Sequence, residues 1–288
     1  MIAQSVVVPE HVPGVKEMLM GPAGSGKTYS IGTLVDTGMD VFYLALEPGI
    51  ETLQGYYIDR GQPIPPNLHY HYVAPPAASF TDMLDMVDKT MMLSFDSLCK
   101  VSDPKRTKHN QFQSILKAMN NFTDDRTGEQ FGDVGSWGND RVLVIDSMSG
   151  LGRASMSMVV GSKPIRNQAE WGMAQTFIEN LIVKLCNDCR CHFILLSHVE
   201  REVDQVMGGV KIMASTLGKA LAPKLPSLFS DVILCARSGT KWTWDTVSTL
   251  ADVKARYLPF QADNPPSFGP IIAKWRARWG VPGEDKKS

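Results

Sequence analysis

The sequence predicts an α/β fold with a mostly parallel central sheet flanked by helices and finished by hairpin-like strands near the C-terminus. Three observations predict it. The octet Gly21-Pro22-Ala23-Gly24-Ser25-Gly26-Lys27-Thr28 fits the phosphate-loop pattern G-x-x-x-x-G-K-[ST] at every defined position and follows the apolar run Val15-Lys16-Glu17-Met18-Leu19-Met20. Beyond it, apolar runs alternate with helical patterns, as they do when strand–helix–strand units build a parallel sheet. Finally, Glu47, Asp146 and His198 each close an apolar run, and ligands of such sheets bind at the carboxyl ends of strands.

The elements follow in order. After the phosphate loop the pattern predicts a helix over 28–37 that stops at Gly38, then a strand over 41–46 that stops at Glu47-Pro48-Gly49. Leu68 to Val73 reads as a strand closed by Pro75-Pro76. Phe80 to Leu93 reads as a helix with Phe80, Leu84, Val87 and Met91 on one face. From 97 to 140 the chain turns polar and glycine-rich and reads as an insertion holding one amphipathic helix marked by Phe112, Ile115, Leu116 and Met119. The core resumes at Arg141-Val142-Leu143-Val144-Ile145-Asp146, followed by a long helix over 168–186 and a strand over 191–197. A glycine- and charge-rich loop over 200–216, a short helix near 217–225, a strand over 231–236 and two β-like runs at 241–244 and 251–257 complete the reading. The domain organisation is an N-terminal arm (1–14), a core (15–260) containing the 97–140 stretch, and a basic, aromatic C-terminal tail (261–288).

Composition narrows the class. With 288 residues, 43% hydrophobic and 20% charged, the chain can bury one large core. A net charge of −1 means that any affinity for nucleic acid must come from a local basic surface. No apolar run reaches the ~18 residues of a membrane span, and Met1-Ile2-Ala3-Gln4-Ser5 lacks the basic start of a secretory signal. The expectation is a protein with no membrane partner, in the cytoplasm. Among the five cysteines, Cys186, Cys189 and Cys191 cluster beside His192. A helix-to-strand junction there scatters the side chains, which favours packing cysteines over zinc ligands.

The phosphate loop names a ligand, the polyphosphate of a nucleoside triphosphate with Mg²⁺. Its glycines let backbone N–H groups point at phosphate oxygens, Lys27 adds charge for the β and γ phosphates, and the Thr28 hydroxyl suits Mg²⁺. Gly21 to Thr28, with Tyr29 in the first turn of the following helix, form the expected ATP-binding set. Asp146 is the expected acid for Mg²⁺, shared with Thr28. Because Ser147, and no acid, follows it, the water-activating carboxylate must come from another strand, and Glu47 is the candidate. A surface-loop acid is the plainer alternative for Glu47. If the strand before His198 lies between those of the phosphate loop and Asp146, His198 faces the γ-phosphate and can sense it; a structural histidine is the alternative.

The segments Gly-Pro-Ala-Gly-Ser-Gly-Lys-Thr, Leu-Ala-Leu-Glu-Pro-Gly, Val-Ile-Asp-Ser-Met-Ser and Leu-Leu-Ser-His-Val-Glu-Arg-Glu resemble, in order and spacing over roughly 15–260, the RecA-like P-loop NTPase core. More narrowly the chain is similar to the short phage-encoded ATPases of that group, the fourth type of Sak single-strand annealing proteins. The resemblance implies a DNA-dependent ATPase with Glu47 as catalytic glutamate and His198 as γ-phosphate sensor. It implies DNA-facing loops at Gly150 to Gln168 and Glu200 to Thr216, with Arg153, Lys163, Arg166, Arg201 and Lys211 contacting phosphates. It also implies that Lys254 and Arg256, on one face of a strand, reach a neighbouring subunit's nucleotide, where a solvated charged strand is the alternative. The implied partners are single-stranded DNA, further copies in a filament or ring, and a single-strand DNA-binding protein, in host cytoplasm if the protein is phage-encoded. The tail carries Lys274, Trp275, Arg276, Arg278 and Trp279, a composition that suits single-stranded nucleic acid or a partner protein, with packing of its tryptophans on the core as the alternative. Two other functions share these features: a hexameric helicase-like motor or loader, and a nucleotide-gated scaffold with little turnover.

Overall fold

The computed structural model describes residues 12–77, 79–101, 108–161, 163, 165–204 and 208–281. Strand β1 (Lys16–Met20) leads to helix α1 (Lys27–Val35), then β2 (Asp40–Ala45), α2 (Ile50–Ile58) and β3 (Leu68–Tyr72). Helices α3 (Phe80–Met92), α4 (Phe95–Lys100) and α5 (Gln111–Asn120) precede β4 (Arg141–Asp146), α6 (Met148–Val160), α7 (Gln168–Asn187) and β5 (His192–Ser197). A hairpin of β6 (Val199–Asp204) and β7 (Gly209–Ala214), a short α8 (Leu225–Leu228), β8 (Asp231–Ser238), β9 (Lys241–Asp245) and α9 (Gly269–Trp279) follow.

The main sheet has seven strands in the order β3-β2-β4-β5-β1-β8-β9, parallel except for β9, which runs antiparallel to β8. Strands buried on both faces need no alternation, which is why β1, β2, β4 and β5 read as continuous apolar runs. One face of the sheet packs on α1, α2 and α9 through Ile31, Leu34, Leu53, Tyr57 and Trp275. The other packs on α5, α6 and α7 through Phe112, Ile115, Leu151, Ile178 and Ile182. Among the described residues no helix is long and apolar enough to cross a membrane.

Several expectations are corrected. Gly150 to Gln168 is not a loop: most of it is α6, capped where the Ser147 hydroxyl accepts from Gly150 N (3.5 Å) and ended at Gly161. Met148, Leu151, Ala154 and Val159 carry its buried stripe. Glu200 to Thr216 is largely the β6–β7 hairpin, not an open loop. The short helix comes later than 217–225, at α8. The run 251–257 is not a strand; it meets the sheets through isolated bridges at Ala251 and Lys254 and through Arg256 N and Tyr257 N, which donate to Asp231 Oδ1.

The 97–140 stretch adds Phe112, Ile115, Ala118, Met119, Phe122, Val134 and Trp137 to the main core, whereas Leu116, expected on the same face, is 44% exposed. Helix α3 shows the opposite behaviour. Its amphipathic pattern is present, yet it buries no side chain, and Phe80, Leu84, Val87 and Met91 all face solvent. A Ser79–Asp82 capping box nucleates it locally, and among the described residues nothing buries its apolar face. In the tail, α9 seats Trp275 fully in the core, where its indole N–H donates to Pro13 O (2.9 Å); of the alternatives for the tail, packing on the core is the one that holds for Trp275.

The cysteine cluster surrounds Lys16, whose ammonium donates to Cys189 O and Cys191 O. Burial pushes the Cys186 and Cys191 thiols up to about 12.

Candidate functional site

The site grows from the carboxyl ends of β1, β2, β4 and β5. β1 is buried along its whole length and hands the chain to the loop 21–26, which Gly21 N ties to β5 by donating to Ser197 O (3.1 Å). Gly26 has φ 83°, and a Cβ there would lie 3.0 Å from Trp242 Cδ1, so both conformation and space call for glycine. α1 begins directly after it with no acid in its first turn, leaving the positive end of its dipole facing the loop.

Lys27 is buried and its ammonium folds back on the loop, donating to Gly21 O (2.7 Å), Pro22 O (3.0 Å) and Ser25 Oγ (3.4 Å). Burial lowers its pKa, against the opposing pull of Asp146 and Glu47. The Thr28 hydroxyl donates to Asp146 Oδ2 (2.8 Å), and so does the Tyr43 hydroxyl (2.5 Å). Burial, and then the Asp146 charge, hold the Tyr43 phenol well above its ordinary value, so it remains a donor. A hydroxyl and a carboxylate meeting at a helix start form a hard-oxygen donor set that fits Mg²⁺. Tyr29 is 42% exposed beside the loop, edge-on to Tyr56 at 4.9 Å.

Glu47 stands one residue past the end of β2's buried run and two past Ala45, the residue paired with Asp146 on the adjacent strand. Its Oε1 accepts from Arg153 Nη2 at 2.5 Å. Partial burial alone would raise its pKa, but the Arg153 guanidinium, with the hydroxyls of Ser147 and Ser149, holds the carboxyl below the usual range. The condition set for His198 is met: β5 lies between β1 and β4, so His198 leaves the sheet between the phosphate loop and Asp146. Its carbonyl accepts from Ser197 Oγ (2.8 Å) and Ser215 N (2.7 Å), which ties the end of β5 to the segment leaving β7.

Of the cations expected to meet DNA, Arg153 and Arg166 line one cavity, while Lys163, Arg201 and Lys211 lie apart from it. Arg153 is bound to Glu47; Lys163 pairs with Glu170 and Lys211 with Asp252, each at 2.7 Å. Arg166 lies 5.9 Å from the Trp171 ring, and Arg201 is exposed on β6. Lys254 bridges Val232 near the start of β8, and Arg256 N donates to Asp231 Oδ1 (2.6 Å). Val232 is level with Met18 and Asp231 with Glu17, so both residues attach in the first half of β8, away from the end of β1 that carries the phosphate loop.

Two residues escaped the sequence reading. Tyr43 was legible in principle: Tyr43 pairs with Val144 and Ala45 with Asp146, so Tyr43 and Asp146 are diagonal neighbours on one face. Trp242 on β9 donates its indole N–H to Gly24 O (3.0 Å) and lies under the Arg237 guanidinium (5.0 Å). No local pattern announces that contact, which depends on β9 folding back along β8.

A glycine loop between β1 and α1, an acid at the end of β4, a carboxylate at the end of β2 and β5 inserted between β1 and β4 define an ATPase core of the RecA-like P-loop kind. The chain belongs to the AAA domain family, whose pattern it matches over residues 14–264. Among solved structures it is similar to the RadB recombinase, with 15% identity and a TM-score of 0.38, covering 87% of this chain and 86% of that one. It is also similar to an ATPase from the type III secretion system of pathogenic bacteria, with 13% identity and a TM-score of 0.37, covering 78% of this chain and 53% of that one. Comparison with curated protein sequences gives no match.

Proposed function

We propose that this protein binds ATP with Mg²⁺, hydrolyses it, and uses the cycle to act on single-stranded DNA as a homo-oligomer in annealing or recombination. The observation that carries the reading is the convergence of Lys27, Thr28, Asp146 and Glu47 at the ends of β1, β4 and β2.

In this reading the N–H groups of 21–28 cradle the phosphates, with Tyr29 beside them, and the Lys27 ammonium exchanges the Gly21 and Pro22 carbonyls for phosphate oxygens. Thr28 and Asp146 hold Mg²⁺, which when bound draws charge from the β and γ phosphates. Tyr43 fixes the orientation of Asp146. Glu47 accepts a proton from the attacking water, a role for which it must first be drawn from Arg153. His198 reads the state of the γ-phosphate and passes it to the β6–β7 hairpin through Ser215. Lys254 and Arg256 act in trans, since they lie away from their own loop. The engaged state of Glu47 favours one second reading, a nucleotide-gated scaffold whose turnover stays low until a partner binds.

Steady-state ATP hydrolysis of wild type, Lys27→Ala and Glu47→Gln, with and without single-stranded DNA, tests this. Lys27→Ala should lose turnover, and Glu47→Gln should bind ATP but turn over about 10²-fold more slowly. Normal hydrolysis by Lys27→Ala would sink the loop assignment. Turnover indifferent to DNA would favour the scaffold, and closed rings by negative-stain imaging a helicase-like motor.

A further inference from the structure

The phosphate loop is gripped by a side chain from a strand late in the chain. Strand β9 is the last strand of the main sheet, antiparallel to β8, and its register sets Trp242 opposite Arg237 near the end of β8. From there the indole N–H donates to Gly24 O (3.0 Å), across a separation of 218 positions in sequence. The same ring closes on a second loop residue. A Cβ on Gly26 would meet Cδ1, Cγ and Nε1 of Trp242 at 3.0, 3.5 and 3.6 Å, so the five-membered half of the indole lies against Gly26. The Arg237 guanidinium sits over the indole at 5.0 Å, and its Nε donates to Gly239 O (2.8 Å) in the β8–β9 turn, so the hairpin steadies its own tryptophan.

The two glycines touched are the flexible points of the loop. Both have positive φ, 74° at Gly24 and 83° at Gly26, and a peptide beside a glycine turns over at little steric cost. In a planar trans peptide the C=O and the following N–H point in opposite directions. With Gly24 O fixed outward on Trp242, the Ser25 N–H faces into the loop. There it donates to Pro22 O (3.3 Å), the same carbonyl that takes the Lys27 ammonium (3.0 Å). Gly24 is exposed. Without the indole its carbonyl would exchange this bond for water, and the Gly24–Ser25 peptide would be free to turn its N–H outward.

We propose that Trp242 is a positioning residue for the nucleotide: by pinning the Gly24 carbonyl it keeps the Ser25 N–H turned inward, so that the loop meets the phosphates already arranged. This assignment rests on the loop 21–28 being the phosphate site. Its effect falls on affinity for ATP and ADP alike, because a loop that is only partly in the competent form binds more weakly by that fraction.

The test is calorimetric titration of the full chain with ADP, together with steady-state ATP hydrolysis, for wild type, Trp242→Phe, Trp242→His and Lys27→Ala. Phenylalanine keeps an aromatic ring beside Gly26 but has no N–H. Histidine places its Nε2–H two bonds from Cγ, the ring position that Nε1 holds in the indole. Trp242→Phe should weaken ADP binding and raise KM for ATP about fivefold, the size of one hydrogen bond to an exposed carbonyl, while kcat changes by less than about twofold. Trp242→His, at pH 8 where its imidazole is neutral, should recover most of the lost affinity, although nucleotide-free thermal unfolding should not separate the two variants. A merely structural role would tie affinity to thermal stability and give no such recovery. The inference is overturned if Trp242→Phe binds ADP as wild type does, if Trp242→His is no better than Trp242→Phe, or if kcat falls with KM unchanged. Wild-type ADP binding by Lys27→Ala would overturn the phosphate-loop reading itself, a distinguishable failure.

Discussion

Glu17 offers the sharpest test of the core. It lies in mid-β1 with no exposed surface, and neither of its carboxyl oxygens has a hydrogen-bond partner. Directly opposite in the parallel register is Asp231, whose Oδ2 is also without a partner, while its Oδ1 accepts from Arg256 N and Tyr257 N. Burial, and then the Asp231 charge, raise the Glu17 pKa well above the ordinary carboxyl value, so the folded state binds this proton more tightly than the unfolded chain does.

The sign follows. A raised folded pKa gives stability that is complete below the unfolded value, near pH 4.3, and is lost as pH rises towards the folded value. In that window each pH unit costs about 1.4 kcal/mol, or about 2 °C in Tm for a chain of 288 residues. Glu17→Gln removes the titration and supplies an N–H donor for the orphaned oxygen of Asp231. Thermal unfolding by circular dichroism at pH 5, 6 and 7 should therefore show the variant gaining on wild type by that increment per unit. His192, held neutral by burial with its pKa near 3, affects both proteins alike and cancels in the difference. Parallel Tm curves for the two proteins would refute the argument.

Three further outcomes are expected. Tyr43→Phe should fold normally but need about 10–100-fold more Mg²⁺ for half-maximal hydrolysis, because Asp146 loses the hydroxyl that orients it; an unchanged Mg²⁺ titration would contradict this. Ile115→Ala should cost about 2–5 kcal/mol by urea unfolding, whereas Leu84→Ala on exposed α3 should cost less than about 0.5 kcal/mol. Equal costs would mean that α3 packs on the core. Lys254→Ala/Arg256→Ala should slow turnover without weakening nucleotide binding, and mixing it with Glu47→Gln should restore some activity; no recovery on mixing would remove the proposed trans role.

What the sequence revealed, and what it hid, follows a physical line. β1, β2, β4, β5 and α7 were legible because strands buried on both faces and a long capped helix leave unbroken signals. The partners of the site residues were not, because they depend on register and crossover: Tyr43 reaches Asp146 across two strands, Trp242 reaches Gly24 from a strand that turns back, and Arg153 reaches Glu47 from α6. The two mistaken loops have different origins. The loop over 200–216 comes from its glycine and charge content, and its pairing as a hairpin depends on register that composition does not carry. The loop over 150–168 is implied by the resemblance, and in α6 Gly150 is there because a Cβ would lie 2.6 Å from Leu46 Cβ, while Gly152 faces Leu217 at 3.4 Å, so glycine marks close packing of a helix.

That close approach makes α6 more than a connector. It starts two residues after Asp146, with only Ser147 between them. Gly150 presses its first turn against Leu46, the residue before Glu47, so Arg153 one turn later falls within reach of that carboxylate. Within eight residues the chain thus passes from the acid that meets Thr28, through the hydroxyls beside Glu47, to the guanidinium that pairs with it and lines the neighbouring cavity. An alanine at Gly150 would force α6 away from β2. It should weaken the Arg153–Glu47 pair without touching either partner, so that basal hydrolysis shifts in the same direction as in Arg153→Ala. A shift in the opposite direction, with the fold intact by circular dichroism, would show that α6 supports the base in place of restraining it.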